Sequence, residues 1–210
     1  MPHSEALLFP LSIVGLIAAS MTAALAAGRR SMDWVGVALL GSITALGGGS
    51  TRDMLLGHYP LSWVQEPYLL AITAGAAVFT IAMAPVIHHL RTVFLFLDAV
   101  GLVAFTLLGC SVALKTNQPI AIVIVAGMIT GCVGGVLRDV LCNDVPLLFR
   151  GELYASVSIV TGLIYVMGLR YDFSPDLVVL TAFAIGLTFR LLAIRFRLEM
   201  PKFVYDRESG

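Results

Sequence analysis

Long apolar runs separated by short polar or turn-rich connections follow one another along the whole sequence. Each run approaches the ~20 residues that an α-helix needs to cross ~30 Å of hydrocarbon. The pattern predicts an all-α integral membrane protein with seven transmembrane helices, which we number as spans one to seven. Their predicted bounds are 7–28, 34–51, 67–87, 93–114, 119–137, 153–170 and 176–194. Arg190 lies close to the end of span seven, so that end is the least certain boundary.

The composition narrows the class further. Hydrophobic residues make up 59% of the 210 residues and charged residues only 12%, where soluble domains carry about 25% charged residues. The chain is therefore expected to form a single transmembrane domain over residues 1–210. Formal net charge is zero, and no basic stripe is present to bind nucleic acid.

Lys and Arg are distributed unevenly among the connections, which predicts the orientation. The tail 195–210 carries four of them, so the carboxyl terminus is expected in the cytoplasm and, after seven crossings, the amino terminus outside. Arg29, Arg30, Arg91 and Arg150 then also face the cytoplasm, whereas Lys115 and Arg170 face outward. The first residues, 1–5, lack the cationic segment of a cleaved signal peptide, so span one is expected to be retained.

A long repeat with an offset of 86 residues divides the chain into two copies. The first copy contains Ile43, Thr44, Gly48, Gly49, Arg52, Asp53, Leu55, Pro60, Leu61, Glu66 and Tyr68, and the second contains Ile129, Thr130, Gly134, Gly135, Arg138, Asp139, Leu141, Pro146, Leu147, Glu152 and Tyr154. Repeat one covers about 7–87 and repeat two about 93–173. Each copy has three spans, so adjacent copies must cross the membrane in opposite directions. The prediction is two inverted three-helix repeats followed by a seventh helix.

Glycine clusters fall inside spans two and five, at Gly47-Gly48-Gly49 and Gly134-Gly135. Glycine costs about 1 kcal/mol in a helix interior, so successive glycines are expected to bend or break each helix. Freed backbone groups at membrane depth could then line a pathway. The alternative is a smooth helix-packing face, because small residues also recur every fourth position. That face would contain Gly41, Ala45, Gly127 and Gly131.

Charged residues follow the glycines at Arg52-Asp53 and Arg138-Asp139. Such groups at bilayer depth need partners or water, so they are either pathway and gating charges or structural pairs. Adjacent helical residues do not face each other, which suggests that Arg52 pairs elsewhere than with Asp53.

Asp98 is a further candidate gating charge, about 9 Å into span four if that helix starts near Thr92. Its counterpart in the first copy is Ser12. Asp98 is either an N-terminal cap of a helix that begins later or a partner of Arg138.

Nothing in the sequence indicates an enzyme, a cofactor or a metal site. The three cysteines, Cys110, Cys132 and Cys142, lie in or beside apolar segments and lack metal-ligand spacing. The histidines, His3, His58, His88 and His89, all fall in predicted connections.

The two GG…RD segments in a seven-span chain resemble the prokaryotic members of the trimeric intracellular cation (TRIC) channel family. The residues that carry the resemblance are Gly47–Asp53 and Gly134–Asp139, although Val133 stands where the first copy has Gly47. The resemblance implies a homotrimer in the bacterial inner membrane, surrounded by lipids, with a pore in each subunit. It implies K⁺, with Na⁺ as a second permeant ion, and kinks at the glycine clusters of spans two and five.

The leading hypothesis is therefore a passive monovalent cation channel. Its pore would be walled by spans one, two, four and five, with span seven supporting the fold. The alternative is a secondary transporter of a small amino acid such as glycine, since some proteins related to this family are described as glycine transporters.

Overall fold

The computed structural model describes residues 4–86, 89–150 and 153–200. In these ranges the chain forms eight α-helices and two short 3₁₀ segments. The helices are α1 (Ser4–Gly28), α2 (Trp34–Leu56), α3 (Ser62–Gln65), α4 (Tyr68–Met83), α5 (Leu90–Lys115), α6 (Ile120–Leu141), α7 (Tyr154–Arg170) and α8 (Pro175–Phe196). The 3₁₀ segments are Ala84–Val86 and Leu147–Phe149.

The prediction of an all-α membrane protein is confirmed. Among the described residues, six helices are long and apolar enough to cross a membrane, and the 17-residue α7 is a shorter apolar helix. Each predicted span coincides with one of these seven helices, while the four-residue α3 lies in the connection between α2 and α4.

Local signals explain where several helices begin and end. Asp33 caps α2 by accepting a hydrogen bond from the Gly36 amide at 2.7 Å. The same helix stops at Gly57, whose φ of 65° is the left-handed conformation that glycine adopts freely. The helices α2 and α6 extend past their predicted ends at 51 and 137, since α2 runs to Leu56 and α6 to Leu141. The Arg-Asp pairs therefore lie inside helices.

Equivalent helices of the two repeats cross each other antiparallel. Where α1 meets α5, Gly15 packs against Ala104, and Gly101 packs against Ala19. Residue numbers rise along one helix as they fall along the other, so the two helices run in opposite directions. Gly15 and Gly101 are counterparts at the repeat offset. This geometry is that of an inverted repeat with a pseudo-twofold axis between the copies.

The helices α2 and α6 cross at the glycines, where neither helix is interrupted, and the bend expected there stays a prediction. Both helices continue through Gly47–Gly49 and Gly134–Gly135. At the crossing, the carbonyl oxygen of Thr130 lies where a Gly48 Cβ would be, and that of Thr44 lies where a Gly134 Cβ would be. The close packing offsets the low helix propensity of glycine, which explains why the helices stay intact.

The other small residues also lie at helix contacts. Gly41 faces Ala77 of α4, where a Cβ would come within 2.6 Å of the alanine Cβ. Gly131 faces α5, with the Leu102 carbonyl 2.8 Å from its Cβ position, and Gly127 faces the same helix at Thr106. Ala45 is buried on α2. The spacing of four thus presents a face that allows close helix approach.

Most of the basic side chains in the described ranges gather at one end of the helix bundle, which we call the basic end. The Arg29 guanidinium lies 5.1 Å from the centre of the Phe94 ring, so the end of α1 meets the start of α5. Arg30 pairs with Asp144 beyond α6 at 2.6 Å. The end of α8 lies beside the start of α5. Lys115 and Arg170 finish α5 and α7 at the opposite end.

Candidate functional site

Arg138 is the centre of a buried ionic cluster in the half of the bundle nearer the basic end. Its Nη1 donates to Asp98 Oδ1 at 2.7 Å and to Thr22 Oγ1 at 3.0 Å, and its Nε donates to Asp139 Oδ1 at 2.8 Å. The guanidinium also lies 4.6 Å from the centre of the Phe94 ring, within cation–π distance. We call these five residues the Arg138 cluster.

The cluster joins several helices and is closed to solvent. Arg138 is 1% exposed, and both carboxylates are 5% exposed. Asp139 also accepts a hydrogen bond from the Leu147 amide at 2.9 Å, which fixes the segment after α6. A buried guanidinium with two carboxylates and an aromatic face has the geometry of a brace, since removing one partner would strand a buried charge.

Arg190 extends the cluster from α8. Its guanidinium lies 4.7 Å from the centre of the Tyr154 ring, and both residues are buried. Tyr154 itself borders the space between Asp98 and Arg138. Sequence reasoning did not assign Arg190 to the site. The available signal was its charge within an apolar span, because such a residue needs a partner inside the bundle.

The equivalent charges of the first copy form a simpler group, the Arg52 site. Arg52 donates through Nε and Nη2 to Asp53 Oδ1 at 2.9 and 2.8 Å. His58 Nδ1 lies 3.3 Å from the same oxygen, and Ser62 Oγ donates to Asp53 Oδ2 at 3.4 Å. Asp53 is fully buried.

Two expectations about these charges are wrong. Both arginines pair with the adjacent aspartate, although neighbours on a helix point in different directions. The long arginine side chain folds back along its own helix, because in the buried interior the neighbouring carboxylate offers charge and acceptors together. The cap interpretation of Asp98 also fails, since α5 begins at Leu90 and Asp98 lies inside it. The alternative interpretation is correct in the structure, where Asp98 forms an ion pair with Arg138.

Two cavities lie on opposite sides of the α2–α6 crossing. The wide cavity has a volume of ≈ 200 Å³, and its lining includes Ser12, Ser50, Arg52, Ser62, Glu66 and Phe105. The narrow cavity measures only ≈ 20 Å³, and its lining includes Thr22, Thr44, Asp98, Phe105, Arg138 and Tyr154. Phe105 therefore forms a wall of both cavities.

The predicted site residues are distributed over these features. Gly49 and Arg52 line the wide cavity, whereas Gly134, Gly135 and Arg138 line the narrow one. Gly48 lies at the helix crossing. Gly47 faces Leu137 across that crossing and borders an apolar surface groove. Phe105, which lines both cavities, was missed because nothing in the sequence distinguishes it from other apolar residues of span four.

Fold and site together define an all-helical membrane protein in which each of the two sequence repeats carries a buried Arg-Asp pair. The family model described as "Glycine transporter" matches the chain twice, over residues 9–84 and 95–170, at the same offset of 86. The chain belongs to that family, which includes the UPF0126 membrane proteins and the prokaryotic TRIC channels.

Two relatives illustrate the membership. The UPF0126 inner membrane protein YadS of Escherichia coli K12 is 37% identical over 207 residues, which is 97% of this chain and 99% of YadS. A UPF0126 membrane protein of Vibrio cholerae is 35% identical, over 96% of this chain and 84% of the relative.

Solved structures agree in fold. The TRIC trimeric intracellular cation channel orthologue from Rhodobacter sphaeroides superposes with a TM-score of 0.88 at 34% identity, covering 91% of this chain and 99% of that one. A prokaryotic TRIC channel in 0.5 M KCl gives a TM-score of 0.86 at 31% identity, covering 92% and 98% of the two chains.

Proposed function

We propose that this protein is a passive monovalent cation channel, conducting chiefly K⁺ and also Na⁺, with a pore inside each subunit. The observation that carries the proposal is the pair of cavities that approach each other from opposite sides of the α2–α6 crossing and share Phe105 as a wall. The pore crosses the pseudo-twofold axis, which lies in the membrane plane, and is walled by α1, α2, α5 and α6. Helix α8 braces the fold through Arg190.

The lining of the wide cavity suits a cation. Three serines and Glu66 contribute oxygen atoms to it, and hydroxyl and carboxylate oxygens are ligands that alkali cations accept in channels. The positive charge of Arg52 is balanced by Asp53, so the carboxylate of Glu66 is the excess charge at this cavity. A negative excess raises the local concentration of cations.

The constriction lies between the two cavities. The narrow cavity holds space for about one water molecule, and Phe105 together with the close helix crossing separates it from the wide one. In the Arg138 cluster with Arg190, two arginines balance two aspartates. Conduction through this half requires the cluster to rearrange, which gives Asp98, Arg138 and Asp139 a gating role. Arg52 and Asp53 are the matching charges of the other half.

The relatives support the same assignment. Solved structures at 30–34% identity are TRIC cation channels, and one is described as trimeric. We propose a homotrimer in the bacterial inner membrane, consistent with the inner membrane relative. The basic end would face the cytoplasm under the positive-inside rule, with the amino terminus outside. The tail 195–210 would then be cytoplasmic, although residues 201–210 lie outside the described ranges.

Single-channel recording on the purified protein in planar bilayers tests the proposal. We expect discrete currents in symmetrical KCl. In a KCl gradient, the reversal potential should lie near the equilibrium potential of K⁺ rather than that of Cl⁻. Bilayers without protein and bilayers with the detergent alone are the controls. The amount of protein incorporated into the membrane is measured in parallel. If the incorporated protein gave no unitary currents, the channel proposal would be contradicted.

One observation favours a second candidate, a carrier of glycine. Arg52 and Glu66 line the same cavity, and a zwitterion carries a carboxylate for the first and an ammonium for the second. Proteoliposomes loaded with an ion gradient distinguish the two functions. Saturable, gradient-dependent uptake of radiolabelled glycine without unitary currents identifies the carrier. Currents that are unaffected by glycine identify the channel.

A further inference from the structure

A third cavity, unrelated to the pore, opens at the basic end between the start of α5 and the end of α8. It has a volume of ≈ 630 Å³, and its charged lining residues are Arg91, Arg195, Arg197 and Glu199. All four are exposed. Three guanidinium groups against one carboxylate leave a strong positive excess in a concave surface, which is the arrangement that binds anionic headgroups in membrane proteins.

The end of α8 brings its arginines to this cavity. Arg197 adopts a left-handed conformation with φ of 51°, and the Leu198 amide donates to the Ala193 carbonyl at 3.0 Å. This turn closes the helix and keeps Arg195 and Arg197 beside α5. Their planar guanidinium groups can each donate two parallel hydrogen bonds to a phosphate.

The start of α5 strengthens the positive field. The side chain of the N-cap residue, His89, makes no capping hydrogen bond. The first backbone hydrogen bond of α5 runs from the Val93 amide to the His89 carbonyl at 3.0 Å. The amides of the first turn precede that bond and point out of the helix end. They carry the positive pole of the helix dipole, which favours an anion.

The surroundings of the cavity are apolar. Leu90, Phe196, Leu198 and Met200 are exposed by 44%, 65%, 43% and 51% respectively. Leu90, Phe196 and Leu198 lie next to the arginines in sequence and Met200 follows Glu199, at the level where the ends of membrane helices meet the headgroup region. A ligand with both an anionic phosphate and hydrocarbon chains can contact the arginines with its phosphate and the apolar side chains with its chains. Inorganic phosphate can contact only the arginines.

We propose that this cavity, the Arg91–Arg195–Arg197 pocket, binds the phosphate headgroup of an anionic phospholipid whose acyl chains lie along the exposed apolar side chains. The proposal does not require that the protein conducts ions. It places a lipid at the contact between the second repeat and α8, the helix that lies outside the duplication.

Native mass spectrometry of the detergent-solubilised protein titrated with phosphatidylglycerol tests the pocket without any flux measurement. We expect Arg91→Gln combined with Arg195→Gln to lower the affinity for phosphatidylglycerol by about tenfold or more, because each basic residue contributes appreciably to the binding of anionic lipid. The matched control removes two positive charges at the opposite end of the bundle, Lys115→Gln with Arg170→Gln. Its affinity should stay within about twofold of that of the unmodified protein.

Further measurements separate the outcomes. The variant with Arg91→Lys and Arg195→Lys keeps the charge and loses the bidentate hydrogen bonds, so its affinity should lie between those of the unmodified protein and the glutamine variant. An unchanged size-exclusion profile of the glutamine variant shows that its loss of affinity does not come from misfolding. Phosphatidylcholine should bind more weakly than phosphatidylglycerol to the unmodified protein, because its headgroup has no net charge. Equal phosphatidylglycerol binding by the test and control variants overturns the proposal, and so does competition by inorganic phosphate at concentrations similar to those of the lipid.

Discussion

The two Arg-Asp pairs are equivalent in sequence and different in surroundings. Arg138 meets Asp98, Thr22 and Phe94, whereas the counterparts of these three residues around Arg52 are Ser12, Leu108 and Leu8. The first environment is a packed ionic cluster, and the second opens into a cavity of ≈ 200 Å³. A duplicated motif thus determines the local pair, while unduplicated neighbours determine whether that pair braces the bundle or lines a cavity.

The helix outside the repeat adds to this asymmetry. Arg190 of α8 packs on Tyr154 near the Arg138 cluster. Because α8 lies outside the repeat, Arg190 has no counterpart beside Tyr68 in the first copy. Tyr68, the counterpart of Tyr154, is exposed by 45%. The additional helix therefore closes one half of the pseudo-symmetric protein and leaves the other half accessible. In the proposed channel, the half at the basic end is the one that has to rearrange.

The largest expected effect comes from removing the central arginine of the closed half. Arg138→Met should destabilise the protein by about 3–5 kcal/mol, because it leaves two buried carboxylates without their cation. Arg52→Met should cost less, since Asp53 keeps contacts with His58 and Ser62 and the cavity beside Arg52 admits water. The free energy of unfolding in mixed micelles measures both.

A double variant provides the control for this prediction. Adding Asp98→Asn to Arg138→Met removes one of the stranded carboxylates and should recover part of the lost stability. Equal destabilisation by Arg138→Met and Arg52→Met would show that the two halves are energetically alike, and the distinction between brace and cavity lining would then be lost.

The next largest effect is expected at the α2–α6 crossing, to which both halves contribute an equivalent glycine. Gly48→Ala and Gly134→Ala each place a methyl group on a carbonyl oxygen of the facing helix, so each should destabilise the protein by about 1–3 kcal/mol through overpacking. Gly75→Ala is the control, because its Cβ would meet nothing within 4 Å. The two crossing variants should behave alike in the same unfolding assay. A large difference between them would mean that the asymmetry extends to the helix crossing.

Much of the fold could be predicted from the sequence because membrane helices follow hydropathy. The seven apolar runs and the odd number of spans per repeat were enough for an all-helical protein and for copies that cross in opposite directions. For Asp98 the sequence allowed two interpretations, an N-terminal cap and a partner of Arg138. The second could be named because a charge at bilayer depth needs a partner on an adjacent helix.

The site was harder to predict because it depends on side-chain direction and on contacts between distant helices. Gly48 and Gly134 were expected to bend or break their helices or to form a packing face, and helix propensity does not include the close crossing that they allow. The pairing of each arginine with its neighbour depends on how a long side chain folds in a buried environment. Phe105 and Arg190 lie on helices whose rotation about their axes is set only by packing, so periodicity alone did not assign them.

A smaller effect is expected at the boundary between the halves. Phe105→Ala should raise the unitary K⁺ conductance or the open probability severalfold, because it removes the ring that separates the wide and narrow cavities. Phe79→Ala serves as the control, since Phe79 is 62% exposed on the bundle surface. Planar bilayer recording measures both. If the two variants gave the same currents as the unmodified protein, the pore would not run past Phe105.

The smallest effect concerns the charge that only the closed half possesses. Asp98→Asn preserves the shape of the side chain and leaves Asp139 paired with Arg138, so assembly should be intact by size-exclusion chromatography. The Arg138 guanidinium loses one of its carboxylates, and we expect a change in K⁺ flux from reconstituted vesicles as the cluster rearranges more easily. Ser12→Ala at the counterpart position should change the flux less, because Ser12 bonds its own helix at the Phe9 carbonyl rather than Arg52. Unchanged flux in Asp98→Asn would contradict a gating role for the closed half and leave it with a purely structural one.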